Sequence, residues 1–170
     1  SILTTVRVEN NAQLAIAPYY YFTASIYKGE CTSSRVALMT AKSSDTSLYF
    51  AEINGEQVWK LVENYLDHTE NEFFITNQYE LPILSGMKIT VQKEEDGFSL
   101  KDITVDQEEI DKEKEYSILL TDTTRSILEK TTPGCRIKQL QDMTLSSAWT
   151  AFMEKGQQPL APEDYIEVKK

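Results

Sequence analysis

His68 is the single histidine among 170 residues, and that count alone removes most familiar catalytic constellations. A dinuclear metallophosphatase centre draws on several His and Asp ligands, which one histidine cannot supply. A serine nucleophile would have to recruit His68 for a triad, and no Gly-x-Ser-x-Gly elbow occurs. Neither a P-loop nor a Gly-x-Gly-x-x-Gly turn is present, in line with only six glycines. His68 follows a helical pattern near its C-terminal end, where it would cap backbone carbonyls or face water. The acidic residues are too abundant to single out a catalytic pair. No catalytic residue, metal ligand or cofactor is assigned to this chain, and divalent metals enter only with an upstream catalytic domain.

The most unusual local feature is the run Tyr19-Tyr20-Tyr21-Phe22. On a strand, alternation would send Tyr19 and Tyr21 to one side and Tyr20 and Phe22 to the other, so the four cannot share one core face. One reading buries both sides between layers. The other leaves one pair accessible, where a phenol ring with a polar tip suits a base, a sugar or a peptide. The candidate ligand contacts are therefore Tyr19, Tyr21 and Phe22, with Arg35, Lys42 and Arg125 as the nearest cations for a phosphate-bearing ligand; of these Arg125 is kept as a candidate.

Net charge is −10, with no visible clustering of Lys and Arg, which argues against nucleic acid as a partner. Apolar residues make up 41% of the chain, but no apolar run approaches the roughly 18 residues of a membrane helix. At 170 residues the chain suits one domain, residues 1–170, burying roughly 70% of the surface its unfolded form exposes. Cys31 and Cys135 are the only cysteines. They are compatible with two buried thiols or with one bridge, which on the chain-entropy model would add up to ~4.7 kcal/mol. The chain begins at Ser1 without a Met or a leader, so the expectation is a piece processed or excised from a longer protein.

The elements that must position these residues read as follows. Residues 13–21 suit a buried strand, with Pro18 marking its end or edge. Thr32 is placed to start a short helix. Residues 48–53 read as a strand, Asn54-Gly55 as a turn, and Val58, Leu61, Val62, Tyr65 and Leu66 as one helical stripe with Trp59 at its margin. Phe73-Phe74-Ile75 anchors a short strand or loop. Residues 83–93 alternate as one half-buried strand, paired in a hairpin with 98–105. Residues 106–115 are densely charged and read as a solvated turn. Residues 116–120 form a short strand, 123–130 a helix, and Leu145, Trp149, Phe152 and Met153 a last helical stripe closed by Gly156. Residues 165–168 suit a final edge strand. The class is α+β, a layered mixed sheet with packed helices.

Several segments in fixed order carry a resemblance: Ile26-Tyr27-Lys28-Gly29-Glu30-Cys31-Thr32, Leu48-Tyr49-Phe50-Ala51-Glu52-Ile53-Asn54-Gly55-Glu56, Ser85-Gly86-Met87-Lys88-Ile89-Thr90-Val91, and Ile103-Thr104-Val105-Asp106 followed by Glu115-Tyr116-Ser117-Ile118-Leu119-Leu120-Thr121-Asp122. With the closing Leu160-Ala161-Pro162-Glu163-Asp164-Tyr165-Ile166, the chain resembles the C-terminal, substrate-recognition domain of 5′-nucleotidases and UDP-sugar hydrolases from about Ala12 to Glu167. The similarity is weakest between Arg125 and Met143, and the helix that precedes the first strand in that family is not recognisable in residues 2–11.

The resemblance implies ligand loops that depart from the family pattern. The Asn-Gly-Gly-Ile-Arg type loop is replaced by Pro18-Tyr19-Tyr20-Tyr21-Phe22-Thr23. The Pro-Phe-Gly-Asn segment falls at Ser43-Ser44-Asp45-Thr46, and the Gly-Gly-Asp-Gly-Tyr loop at Thr123-Thr124-Arg125-Ser126-Ile127. No family binding residue carries over. The resemblance thus implies a non-catalytic domain, extracellular, cell-surface or periplasmic, with a metallophosphatase domain upstream or lost. The alternatives are the recognition domain of an active nucleotide or nucleotide-sugar hydrolase, and a protein- or glycan-binding module using the tyrosine-rich loop.

Overall fold

The computed structural model describes residues 2–21, 46–67, 81–95, 97–161 and 165–169. The described elements in chain order are α1 (Ile2–Glu9), β1 (Leu14–Ala17), a 3-10 turn (Tyr19–Tyr21), β2 (Ser47–Asn54), α2 (Gly55–Leu66), β3 (Ile83–Ser85), β4 (Lys88–Glu94), β5 (Gly97–Val105), β6 (Glu108–Glu109), β7 (Glu115–Leu120), α3 (Asp122–Thr131), β8 (Ile137–Thr144), α4 (Leu145–Glu154) and β9 (Ile166–Lys169). They build two mixed sheets, ordered β3-β1-β7-β2-β8 and β6-β5-β4-β9. The α+β class and the layered mixed sheet are as the sequence implies.

The five-stranded sheet is buried on both faces, which is why its inner strands read as nearly unbroken apolar runs. All four residues of β1 are buried. Alternation sends Leu14 and Ile16 into a core with α2, α3 and the second sheet, and Ala15 and Ala17 into a core with α1 and α4. β7 splits likewise, Ile118 and Leu120 to the first core and Leu119 to the second. The small side chains of Ala15 and Ala17 let the second helical layer pack close, and Lys155 pairs with Glu9 to tie α4 to α1.

Four expectations from sequence are corrected. Residues 2–9 are helical although Thr4, Thr5, Val6 and Val8 are β-branched and weak helix formers; burial of Ile2, Leu3 and Val6 decides the matter. Asn11 ends that helix in the left-handed region (φ 54), with Ala12 N–H bonding Arg7 O at 3.1 Å. The strand read over 83–93 is two, one in each sheet, because Gly86 (φ 77) turns the chain between them. Strand β8 went unread: only every third residue or so is half-buried along it, and Asp142 (φ 55) breaks its regularity. The strand read over 13–21 stops at Ala17, and Tyr19–Tyr21 curl into a 3-10 turn.

The charged stretch 106–115 is largely exposed, as its composition suggests, yet its backbone has a job. Lys114 O and Lys112 O accept the Gly55 and Glu56 N–H groups at 3.1 Å each, satisfying donors that the first turn of α2 leaves over. Asn54 and Gln57 complete that terminus with reciprocal 2.9 Å bonds, a capping box. Trp59, half-buried beside the α2 stripe, lies under Lys112 Nζ at 5.5 Å from its ring centre. Among the described residues no helix is long and apolar enough to cross a membrane. Cys135 is a half-buried free thiol whose pKa burial pushes up, while Cys31, His68, the helix expected from Thr32 and Phe73-Phe74-Ile75 lie outside the described residues.

Candidate ligand-recognition site

Strands β1 and β7 run parallel and adjacent, Leu14 opposite Ile118 and Ile16 opposite Leu120. Their C-terminal ends therefore deliver the aromatic turn and the start of α3 to one place, the edge of a sheet where ligand loops commonly sit. The beginning of the antiparallel strand β2 arrives at the same edge, Tyr49 opposite Leu120.

A 3-10 turn has a period near three, so Tyr19 and Tyr21 do not share a side as they would on a strand. Tyr19 is 54% exposed and Tyr21 only 7%. The Tyr21 ring joins the core under α1 and α4, and its hydroxyl lies 3.2 Å from Thr123 Oγ1, a buried bond across 102 residues of sequence. Thr124, fully buried, donates from Oγ1 to Ile16 O at 3.2 Å and accepts from Thr121 N at 2.9 Å. The aromatic turn and strand β1 are thereby joined to the first turn of α3 through side chains.

A second set of bonds holds the outer part of the edge. Tyr49 OH donates to Asp122 Oδ1 at 2.7 Å, and Ser47 N–H to Asp122 Oδ2 at 3.2 Å. Burial, then the Asp122 hydrogen bond and charge, raise the Tyr49 phenol above its ordinary value. The Arg125 guanidinium stacks over the Tyr49 ring at 5.1 Å and binds Glu129 Oε1 through Nη1 at 2.7 Å. Its Nε is buried and finds no hydrogen-bond partner among the described residues.

Of the candidates from sequence, Tyr19, Tyr21 and Arg125 come to this edge, each in a different state. Tyr19 is open to solvent, Tyr21 is committed to the core, and Arg125 is paired. Phe22, Arg35, Lys42 and Ser43-Ser44-Asp45 lie outside the described residues. Thr46, next in sequence, is buried and accepts the Leu145 N–H at 3.2 Å, ending as a support for α4. Sequence reasoning missed Tyr49, Asp122, Thr123 and Thr124. Thr121-Asp122 before a helix was a legible cap signal, whereas nothing local marks Tyr49 as the partner of Asp122 across 73 residues. Among the described residues no group of three or more His, Cys, Asp or Glu is placed to hold a metal ion.

Among curated protein sequences none matches this chain. In shape it is similar to the 5′-nucleotidase precursor from Thermus thermophilus, with a TM-score of 0.73 and 16% identity over 98% of this chain and 34% of that one. It is similar also to the NAD nucleotidase of Haemophilus influenzae, with a TM-score of 0.71 and 16% identity over 99% of this chain and 32% of that one. The sulfate thiohydrolase SoxB of Thermus thermophilus shares the fold at a TM-score of 0.65 and 13% identity, over 98% and 31%. The chain spans about a third of the length of each. Identities this low establish the fold alone, and the presence of a thiohydrolase among nucleotidases shows that the fold does not by itself choose the ligand. The profile of the 5′-nucleotidase C-terminal domain matches residues 2–127, most of the 170, and the chain belongs to that family.

Proposed function

We propose that this chain is a non-catalytic domain of a secreted or cell-surface 5′-nucleotidase-like protein, and that it no longer binds nucleotide in the family's manner. One observation carries the reading: Tyr21, standing in the loop where glycines and an arginine would be expected, is buried and bonded to Thr123 in the first turn of α3 at 3.2 Å. The aromatic turn and the start of α3 engage each other, and Arg125, a described cation at this edge, is engaged by Glu129 and Tyr49. An Arg–phosphate pair is charge-assisted and commonly bidentate, and a stacking ring contributes about 1–3 kcal/mol per base. Loss of both turns micromolar recognition into binding near or above millimolar.

Isothermal titration and ligand-observed NMR with AMP, adenosine and UDP-glucose test this, with no saturable binding below the millimolar range as the expected outcome. A low-micromolar dissociation constant, lost in Arg125→Ala and unchanged in Tyr21→Ala, would show a relocated nucleotide site and end the proposal.

A second reading makes the chain the recognition domain of an active nucleotide or nucleotide-sugar hydrolase whose metal centre lies upstream. The buried Arg125 Nε without a partner among the described residues favours it, because such a nitrogen suits an incoming acceptor. A third, a module docking a protein or a glycan, draws on the exposed ring of Tyr19. The titrations above separate the second from the first. A Tyr19→Ala variant that keeps its fold and loses capture on a glycan array would favour the third.

A further inference from the structure

Asn54-Gly55 is the one Asn-Gly pair of the chain, and it joins β2 to α2. In an unstructured chain such a pair deamidates faster than other asparagine pairs, because a glycine nitrogen has no Cβ beside it to shield it or to restrict the turn. The Gly55 nitrogen, losing its proton to solvent, attacks Asn54 Cγ. The N–Cγ bond forms, the Cγ–Nδ2 bond breaks, and the side-chain nitrogen leaves as ammonia with a proton taken back from solvent. Water then opens the succinimide at either carbonyl, so that asparagine and water become aspartate or isoaspartate plus ammonia.

Packing requires both residues of the pair. A Cβ on Gly55 would come 2.2 Å from Asp111 O and 2.8 Å from Asp111 C, so no larger residue fits there. Asn54 caps α2, its Oδ1 accepting the Gln57 N–H at 2.9 Å. The reactive sequence is thus a consequence of the joint it builds.

The contacts that require the pair also hold the reaction off. Gly55 is buried, and its N–H donates to Lys114 O at 3.1 Å, so the proton that must leave is bonded and kept from solvent base. The five-membered ring needs Asn54 Cβ and the Gly55 nitrogen nearly eclipsed across the Cα–C bond, whereas at ψ 166° they are staggered. Turning ψ would draw Gly55 off Lys114 and undo the capping box. The Gln57 N–H on Oδ1 polarises the carbonyl and by itself favours attack. Restraint therefore comes from geometry and from the bonded nucleophile.

That restraint hangs on residues 111–114, all four of them exposed. Asp111 N–H bonds Tyr116 OH at 3.2 Å, Glu113 N–H bonds Asp111 Oδ1 at 3.0 Å, and the Lys112 and Lys114 ammonium groups lie 5.5 and 5.3 Å from the ring centres of Trp59 and Tyr116. Exposed segments held by such contacts open at a lower free energy than the whole fold. We infer that Asn54 is a latent deamidation site whose conversion is set by the opening of residues 111–114. Isoaspartate adds a methylene to the backbone between β2 and α2, which takes the Gly55 N–H out of register with Lys114 O. Each conversion is then a permanent record of an opening. The inference is independent of the function proposed above.

The test incubates the chain at mildly alkaline pH, folded and in denaturing guanidinium chloride, and follows aspartate and isoaspartate at position 54 by peptide mapping and mass spectrometry. Conversion in the folded chain should be slower by about tenfold or more, the equivalent of one well-made hydrogen bond that must open first. Amide hydrogen exchange at Gly55 reads the same opening independently. Raising guanidinium below the unfolding transition should accelerate exchange and deamidation by the same factor, and Tyr116→Phe, which removes the bond to Asp111, should speed both. Equal rates in the folded and unfolded chain, no conversion in the unfolded chain, or deamidation that stays constant while Gly55 exchange accelerates overturns the inference.

Discussion

Tyr21 and Tyr19 are chemically identical and two positions apart, yet the 3-10 turn makes one a core residue and the other a surface one. Tyr21→Phe removes the bond to Thr123 while keeping the ring, and should lower stability by about 0.5–1.5 kcal/mol in urea unfolding. Tyr21→Ala also leaves a cavity and should cost about 3–5 kcal/mol, as large-to-small aromatic changes do. Equal costs for the two variants would show that the ring contributes nothing. Tyr49 lends itself to a pH measurement. Its folded-state pKa lies above the ordinary 10.0, so the folded chain keeps this proton longer than the unfolded chain does. The stability it contributes is complete below pH 10.0 and is lost as pH rises through the folded value. Chemical denaturation of Tyr49→Phe between neutral pH and pH 11, roughly one unit past the free phenol value, should therefore show a shallower alkaline decline than the parent.

Among the elements, those with a strong period were legible and those held by context were not. The α2 stripe of Val58, Leu61, Val62, Tyr65 and Leu66 is buried as its spacing implies, and the Gly156 stop after α4 has the positive φ it was assigned. Helix α1 was illegible because its β-branched residues argue against a helix and only tertiary burial overrides them. At the β1–β7 edge, the unusual run Tyr19-Tyr20-Tyr21 stood out in the sequence, while the Tyr21–Thr123 and Tyr49–Asp122 pairings join residues far apart in sequence and leave no local mark. The change of sheet at Gly86 was hidden inside an alternation that continues across it. A Cβ there would come 2.0 Å from Gln13 O, and φ is 77°, so Gly86→Ala suffers both a backbone clash and a left-handed conformation. That variant should lose more than about 3 kcal/mol, beyond the range of an ordinary point change, or fail to show cooperative unfolding by circular dichroism.

In the molecule as a whole, the first strand after α1 lies inside its sheet, between β3 and β7. Its neighbour β7 is made late: Gln13 and Ser117, which bond where the two strands meet, are 104 positions apart. At synthesis rates of about 5–20 residues per second, Leu14 waits roughly 5–20 s before Ile118 exists to pair with it. Throughout that interval four apolar residues that the finished fold hides on both faces have an unpaired edge, the kind of segment that associates with its like. Nascent chains arrested after Glu109 should therefore collect chaperone or sediment as aggregates, and chains arrested after Thr131 should not. The interior position that shelters β1 in the native protein leaves it a vulnerable segment during birth.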